Sequence, residues 1–345
     1  MSLNRQILPP ILKDQVVKSE KSVYNMIRLV GQGSFGELWL AKMKGTDRKG
    51  KSVLRNVAVK FEDAKAPNPT IAIEVNAYIA LGLHKHVPII YDVFSGLGRS
   101  CMAMELLGKS VLDRRDWCRK QGTRMPLKDV IQIGIQMLAG LEHVHHCKLI
   151  HRDIKPENFL FGQQGSKTQD VLRIIDFGLA KRYISEETKK HIQFNADSIA
   201  MGTPRYMSIR AHMRIQQSRR DDLEALSYVL IYLLRERMPW DGIHLSEGIQ
   251  KNEEIMQVKQ RTPVHELTGT DIPDAFHHLL TYSKKLGFKE DPDYEKMRGI
   301  LTVCAKHADV QLDGKFSWSH ADADSEISIK PQINSNAKLG HRSKQ

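Results

Sequence analysis

Residues 149–161 read LIHRDIKPENFLF, a run of polar residues between two apolar ends. Apolar flanks on both sides indicate a loop that is held between packed segments, whereas an ordinary surface loop would not need them. Asp153 can accept the proton of a hydroxyl group, and Lys155 can neutralise a migrating phosphoryl group. Asn158 can ligate magnesium through its amide oxygen. A solvated charged loop is the alternative, but the spacing H-R-D-x-K-x-x-N is specific enough to predict a catalytic loop.

Asp176 lies 18 residues after Asn158, in the sequence IIDFGLAK. Its carboxylate can ligate a magnesium ion that bridges the β- and γ-phosphates of a nucleotide. An isolated Asp-Phe-Gly triplet is frequent by chance and by default is a turn. Because this triplet follows an apolar run at this distance from the polar loop, we interpret it as a second magnesium-binding element.

The sequence GQGSFGEL places Gly31, Gly33 and Gly36 in a G-x-G-x-x-G pattern. Glycine lets backbone amides approach phosphate oxygens closely, since no Cβ stands in the way. A Rossmann fold would require a helix to begin here, but the strand-like sequence ELWLAKM follows. The pattern therefore favours a flap between two strands that covers nucleotide phosphates. An ordinary hairpin is the alternative.

Lys60 ends the strand-like sequence VAVK, and Glu74 lies in the helix-like sequence IAIEVNAY. Lys60 can pair with nucleotide phosphates and Glu74 can hold it in place, although each is also compatible with an ordinary surface position. The order of these elements matches the protein-kinase signature. It predicts ATP and Mg²⁺ as cofactors, and lysine instead of arginine at Lys155 resembles the serine/threonine class. A nucleotide-binding scaffold that acts through protein contacts is the alternative.

The chain of 345 residues is long enough for two lobes. We predict an α+β class, the bilobal protein-kinase fold, in which a small antiparallel-sheet lobe with one helix joins a larger, mainly helical lobe. Helices are predicted over 71–83, Leu127–His146 and 221–234, the last buried on every side, and a hairpin loop over 44–55.

The predicted boundaries divide the chain into three parts. They are a weakly structured extension (1–22), a kinase domain (23–318) and a disordered tail (319–345). Within the domain the small lobe covers about 23–104, the hinge 105–108 and the large lobe 109–318.

Apolar residues make up 41% of the chain and charged residues 27%, an ordinary globular balance. The net charge of +12 is compatible with an anionic partner or simply with solubility. Four scattered cysteines without a C-x-x-C pair indicate free thiols in a reducing compartment. The apolar runs are too short for a membrane span, and the start lacks a secretory signal. We therefore expect a soluble protein of the cytoplasm and/or nucleus that binds no membrane.

The sequence after the Asp-Phe-Gly segment indicates which family of protein kinases the chain resembles. Residues 202–243 read GTPRYMSIRAHMRIQQSRRDDLEALSYVLIYLLRERMPWDGI. This sequence resembles the casein kinase 1 family, whose members carry Ser-Ile-Asn in place of Ala-Pro-Glu, then a Ser-Arg-Arg-Asp-Asp-Leu-Glu run and a Leu-Pro-Trp-x-Gly turn. The sequences ELLGKSVLD, IIDFGLAK and DPDY resemble the same family, and the resemblance covers roughly 23–318.

The resemblance implies roles for further residues. Asp222 would anchor the catalytic loop from below, and Thr203 would steady it near Lys155. Met104 would be the gatekeeper, while Glu105 and Leu107 would offer backbone groups to adenine. The implied catalytic residues are Asp153, Lys155, Lys60, Glu74 and Thr203, and the implied magnesium ligands are Asn158 and Asp176. The implied nucleotide-binding residues are Val30, Gly31, Gly33, Ser34, Gly36, Leu38, Lys60, Met104, Glu105 and Leu107.

The resemblance also implies protein substrates whose serines lie near acidic or phosphorylated residues. Arg205 and Ser208 match one anion-binding position, and Arg152 and Lys181 match a second. The segment NADSIAM lacks a lysine that the family carries there. The choice between phosphorylated and merely acidic substrates therefore stays open. We expect a monomer and do not expect nucleic-acid binding.

Overall fold

The computed structural model of the protein describes residues 8–33, 36–46, 51–66, 69–243 and 249–319. Ser34 of the predicted phosphate flap therefore lies outside the described residues, as do the first seven residues of the predicted extension and the predicted tail from residue 320 onward.

The small lobe is built on an antiparallel sheet that carries one helix on one face. Its elements are β1 (Val16–Lys18), β2 (Ser22–Gly33), β3 (Gly36–Thr46), β4 (Ser52–Asp63), α1 (Ile71–Leu81), β5 (Ile90–Gly96) and β6 (Arg99–Glu105). Within the described residues the sheet has six strands in the order β1–β2–β3–β4–β6–β5. This arrangement confirms the predicted small lobe with its single helix.

The hairpin loop predicted over 44–55 is wrong for most of its length. β3 and β4 continue into it, and their pairing runs on to Thr46 opposite Ser52. The pairing of two long neighbouring strands outweighs the low strand propensity of the glycine and lysine residues there. α1 ends at Leu81, two residues earlier than predicted, because Gly82 has a φ of +62° and ends the helix.

Residues 8–22, which we expected to be weakly structured, contain strand β1. This strand pairs with β2, and Ile11 and Val17 are buried against the sheet face opposite α1. Arg99 donates a hydrogen bond to the carbonyl of Pro9 at 2.8 Å. The described part of the predicted extension therefore packs as part of the small lobe.

The large lobe surrounds a central buried helix. Its helices are α2 (Val111–Lys120), α3 (Leu127–His146), α4 (Ile209–His212), α5 (Arg219–Arg235), α6 (Ile249–Arg261), α7 (Val264–Thr268), α8 (Asp274–Lys285) and α9 (Tyr294–His307). Every residue of α5 from Arg219 to Leu234 is buried. This confirms the predicted buried helix, which begins two residues earlier because Asp221 accepts the backbone N–H of Ser218 at 2.8 Å.

Four short strands bring the two predicted polar segments together. They are β7 (Leu149–Ile150), β8 (Phe159–Phe161), β9 (Leu172–Ile174) and β10 (Lys181–Arg182). β7 and β8 bracket the catalytic loop, β9 and β10 bracket the Asp-Phe-Gly segment, and the strands pair as β7 with β10 and β8 with β9. The two loops are therefore held at one edge of the large lobe, facing the small lobe.

Candidate active site

Lys60 is placed by the alternation of side chains along β4. Val57, Val59 and Phe61 are buried on the sheet face opposite α1, so Lys60 points to the α1 side. There its ammonium forms an ion pair with the carboxylate of Glu74 and lies 4.0 Å from Oδ1 of Asp176.

The charges of this group depend on one another. Burial would lower the pKa of Lys60, but attraction by Glu74 and Asp176 outweighs burial and raises it, so the ammonium is charged at neutral pH. Burial raises the pKa of Glu74 to about 7, against the pull of Lys60. Burial would raise the pKa of Asp176, but Lys60 and Lys155 lower it, which keeps this carboxylate ionised.

Glu62 belongs to this arrangement and was not predicted. Its buried carboxylate accepts hydrogen bonds from the backbone N–H and the hydroxyl of Thr70, both at 2.8 Å, and from the N–H of Ile71 at 3.0 Å. These groups lie at the N-terminus of α1, so Glu62 caps the helix that carries Glu74. A glutamate two residues after Lys60, on the same face of the strand, is the sequence signal that could have identified it.

Asp176 and Phe177 join the Asp-Phe-Gly segment to α1. Asp176 has a φ of +66°, in the left-handed region. Phe177 is fully buried and makes an edge-to-face contact with Tyr78 of α1, with ring centroids 5.1 Å apart. The ring holds the segment against α1, so that the carboxylate of Asp176 turns toward Lys60.

Both carboxylate oxygens of Asp153 are engaged. Oδ1 accepts hydrogen bonds from the hydroxyl of Thr203 at 2.7 Å and from its backbone N–H at 2.9 Å. Oδ2 accepts one from Nζ of Lys155 at 2.7 Å. Burial would lower the pKa of Lys155, but Asp153 and Asp176 outweigh burial and raise it, so Lys155 is charged. Thr203 therefore orients the carboxylate of Asp153 directly, through its hydroxyl and its backbone N–H.

Asp222, in the first turn of α5, lies beneath the catalytic loop. Its Oδ2 accepts the N–H of His151 at 2.8 Å, and its Oδ1 accepts the N–H of Arg152 at 2.9 Å. A side chain that sequence reasoning missed, His145, contacts Oδ2 through Nε2 at 2.9 Å and the hydroxyl of Tyr294 through Nδ1. The sequence HVHHC at the end of α3 has no spacing that marks a contact with α5.

Asn158 and Asp176 offer oxygen atoms that suit magnesium. Nδ2 of Asn158 donates to the carbonyl of Asp153 at 2.9 Å, while its Oδ1 is buried without a hydrogen-bond partner. An orphaned buried acceptor beside an ionised carboxylate fits a hard cation. Among the residues that the structure describes, no group of three or more His, Cys, Asp and Glu side chains could hold a metal ion.

The glycine-rich sequence joins the end of β2 to the start of β3, so it lies between two strands as predicted for a flap. Gly33 lies opposite Gly36, which has a φ of +115°. A Cβ at Gly36 would lie 1.9 Å from the carbonyl oxygen of Phe61, so only glycine fits. Val30 and Gly31 lie on β2 before the turn, and the half-buried Leu38 lies on β3 after it.

The predicted hinge follows β6. Met104 and Leu107 are buried, while the carboxylate of Glu105 is bound by Arg173 at 3.3 Å and by the N–H of Ile89 at 3.2 Å. The side chain of Glu105 is therefore occupied within the protein, which leaves a backbone role as the one it can play toward a nucleotide.

The four predicted anion-binding residues differ in availability. Ser208 is buried, and its hydroxyl donates to Asp221 at 2.6 Å, so this hydroxyl is already engaged within the protein and its contact with a substrate anion stays a prediction. Arg205 already forms an ion pair with Asp241, with Nε 2.7 Å from Oδ1.

The second pair of basic residues lies near the Asp-Phe-Gly segment. Nε of Arg152 donates to the carbonyl of Leu179 at 2.6 Å, and Nζ of Lys181 donates to Gln216 at 3.1 Å. Burial and the nearby charge of Arg152 lower the pKa of Lys181. The positive charge of Arg152 therefore acts on Lys181.

Comparison with known proteins agrees with this geometry. The model of the protein kinase domain family matches residues 24–288, and the chain belongs to this family. Casein kinase I homolog RAG8 of Kluyveromyces lactis is 35% identical over 90% of the chain. Casein kinase I homolog 1 of Schizosaccharomyces pombe is 35% identical, and that of Saccharomyces cerevisiae 36% identical, each over 86% of the chain. These relatives confirm the resemblance to the casein kinase 1 family.

The relatives are longer than the aligned region. The matches cover 56%, 64% and 53% of the three relatives, respectively. Within the described part of the chain, no helix is both long enough and apolar enough to cross a membrane.

Proposed function

We propose that the protein is a serine/threonine protein kinase that transfers the γ-phosphoryl group of ATP to protein hydroxyl groups. The observation that carries this proposal is the double hold on Asp153, with Thr203 on one carboxylate oxygen and Lys155 on the other. A carboxylate fixed in this way can orient an acceptor hydroxyl and receive its proton. Lys155 then lies where it can stabilise the charge of the migrating group.

The remaining residues bind and orient the nucleotide. Lys60, charged and held by Glu74, would contact its phosphates. Asn158 and Asp176 would hold Mg²⁺, which neutralises phosphate charge when bound. The hairpin around Gly36 would cover the phosphates with backbone amides. Because these groups converge between the two lobes, phosphoryl transfer needs only positioning and charge stabilisation from the protein.

A nucleotide-binding scaffold is not favoured. Such a protein would not need Asp153 held at two oxygens or an unpartnered acceptor on Asn158. The unpartnered acceptor is costly unless it serves chemistry, since buried polar groups are normally satisfied.

The proposal is tested by radiolabel transfer from ATP to an acidic protein. Lys60→Met and Asp153→Asn should each reduce transfer at least about 100-fold while the protein stays folded. Lys42→Met is the matched control, since Lys42 is an exposed lysine on β3, and it should transfer at the wild-type rate. Wild-type transfer by either site variant would contradict the assigned roles. If the wild-type protein binds ATP but transfers no phosphate, the result supports the alternative of a nucleotide-binding scaffold.

We further propose that the substrates carry acidic residues near the acceptor serine or threonine. The pair Arg152 and Lys181 supports this preference, because two neighbouring cations attract anions. Arg205 is already neutralised by Asp241, which favours substrates that need no phosphate at that position.

The cellular setting is a proposal of the same kind. All four cysteines are free, and Cys101, Cys118 and Cys304 are buried, which supports a reducing compartment such as the cytoplasm or nucleus. We propose that the protein acts there as a monomer, which light scattering of the purified protein would test.

A further inference from the structure

Lys259 is a lysine in an environment that lysines rarely occupy. It lies on α6, and 1% of its surface is exposed. Removing an isolated ammonium from water costs several kcal/mol, so a buried lysine requires compensating contacts. The catalytic groups described above do not include it, and nothing in the sequence of α6 distinguishes it from the solvated lysines around it.

The compensating contacts come from backbone carbonyls and aromatic rings. Nζ of Lys259 donates to the carbonyl of Pro204 at 2.8 Å and to that of Met207 at 2.6 Å. The same nitrogen lies 4.9 Å from the ring centroids of both Tyr228 and Trp240, which is cation–π distance. The carbonyls use no more than two of the protons on this nitrogen, and the two rings pack against its remaining side.

The turn from Thr203 to Met207, whose carbonyls bind Lys259, also provides the hydrogen bonds to Asp153. The backbone N–H groups of Tyr206 and Met207 both donate to the carbonyl of Thr203 at 2.9 Å. Thr203 in turn donates two hydrogen bonds to Asp153. Lys259 is therefore linked to the candidate catalytic carboxylate through one short turn of backbone.

Two neighbouring side chains support the same turn. Nε1 of Trp240 donates to the carbonyl of Arg205 at 2.9 Å, and His212 contacts the carbonyl of Pro204 through Nε2 at 3.2 Å. Among the described residues, Lys259 is the one side chain that contacts both ends of the turn through a single nitrogen atom, so it sets the distance between the two carbonyls.

We propose that Lys259 is a positioning residue for phosphoryl transfer: by binding the carbonyls of Pro204 and Met207 it fixes the turn through which Thr203 orients Asp153. The inference rests on the proposed kinase function. A merely structural lysine would stabilise the large lobe without setting the orientation of Asp153. The two roles differ in whether the effect of Lys259 depends on Thr203.

The experiment measures kcat for peptide phosphorylation in a double-mutant cycle of Lys259→Met and Thr203→Val. kcat is expressed per nucleotide-binding site, titrated with a nonhydrolysable ATP analogue, so that an unfolded fraction does not lower it. Lys259→Met should reduce kcat about 10-fold and leave the Kd of the ATP analogue within about 2-fold. In the Thr203→Val background the same change should cost less, about 3-fold, because the hydroxyl bond to Asp153 is already lost and only the backbone N–H of residue 203 still links the turn to Asp153.

Lys251→Met is the matched control, since it removes the same charge from the same helix, and it should behave like wild type. If Lys259→Met yields no nucleotide-binding protein, Lys259→Gln takes its place in the cycle, because its amide can still donate to one carbonyl. The proposal is overturned if the Lys259 variant has the kcat of the wild type. It is also overturned if the Lys259 substitution lowers kcat as much in the Thr203→Val background as in the wild-type background. A wild-type protein that binds the analogue but phosphorylates no peptide instead overturns the proposed function on which it rests.

Discussion

Asp222 accepts the backbone N–H of Arg152 at 2.9 Å, and Arg152 has a φ of +69°. A non-glycine residue in this left-handed region is disfavoured by roughly 1–2 kcal/mol, so the conformation persists only because a partner holds it. Asp222 also binds the N–H of His151, and the two amides immediately precede Asp153. The buried helix α5 thus determines where the candidate catalytic carboxylate lies.

Replacing Asp222 should destabilise the protein as well as the site. Asp222→Ala leaves the amides of His151 and Arg152 unpaired in the interior, and we expect unfolding to require about 2–5 kcal/mol less free energy. Urea denaturation measures this loss. Asp274→Ala is the control, because Asp274 is an exposed acid in the first turn of α8, where the loss should stay below about 1 kcal/mol. Equal losses in the two variants would show that Asp222 does not anchor the loop.

The pH dependence of ATP use should reflect Glu74, whose pKa burial raises to about 7. Above this pH the carboxylate is ionised and holds Lys60, and below it protonation removes the charge that holds the ammonium. We therefore expect kcat/KM for ATP to fall by about tenfold per pH unit on the acid side of pH 7, since kcat/KM reports the free enzyme. Glu74→Gln should have a low kcat/KM that no longer falls with decreasing pH in this range. If kcat/KM of the variant falls below pH 7 as it does in the wild type, a group other than Glu74 is responsible for the pH dependence.

Magnesium dependence should change when Asn158 is shortened. Its Oδ1 is the buried acceptor without a partner, and Asn158→Ala removes it. We expect the Mg²⁺ concentration for half-maximal transfer to rise at least about tenfold at saturating ATP. Asn56→Ala, at an exposed position on β4, should leave the magnesium curve unchanged. Superimposable curves for Asn158→Ala and wild type would exclude Asn158 as a ligand.

The ion pair between Arg205 and Asp241 should govern the response to phosphorylated substrates. Asp241→Asn frees the guanidinium but keeps an oxygen for the N–H of Met238, which Asp241 binds at 2.9 Å. We expect the variant to prefer a peptide with an upstream phosphoserine about 10-fold over its unphosphorylated match, whereas wild type treats the two alike. Adding Arg205→Gln should abolish the preference. If Asp241→Asn shows the same ratio as wild type, Arg205 does not select substrates.

Much of the fold could be predicted because its signals are local. The 3.6-residue period of α3 predicted its bounds correctly, and the continuous apolar sequence of α5 predicted its burial. The loop between β3 and β4 was predicted too long, because the propensity of glycine and lysine for loops is weak against strand pairing. β1 was missed since three residues are too short to carry a strand pattern.

In the candidate site too, residues with local sequence signals were predicted, and residues that depend on distant partners were missed. Asp153, Asn158 and Asp176 were predicted because phosphoryl transfer restricts residue type and spacing within short segments. Glu62 and His145 were missed since their importance comes from a partner on another element, Thr70 and Asp222 respectively. Ser208 was assigned to a substrate anion by the family resemblance, which does not reveal that its hydroxyl donates to Asp221.

The amino-acid sequence by itself determined the class of fold, the order of its elements and the reactive groups, because these follow from local periodicity and from chemistry that tolerates few substitutes. Only the tertiary structure decided which charges are neutralised and which polar groups are buried. Arg205 has Asp241 as its partner, and Lys259 lies between two aromatic rings. Electrostatic energy depends on distance and on exclusion of water, and packing of residues remote in the chain sets both.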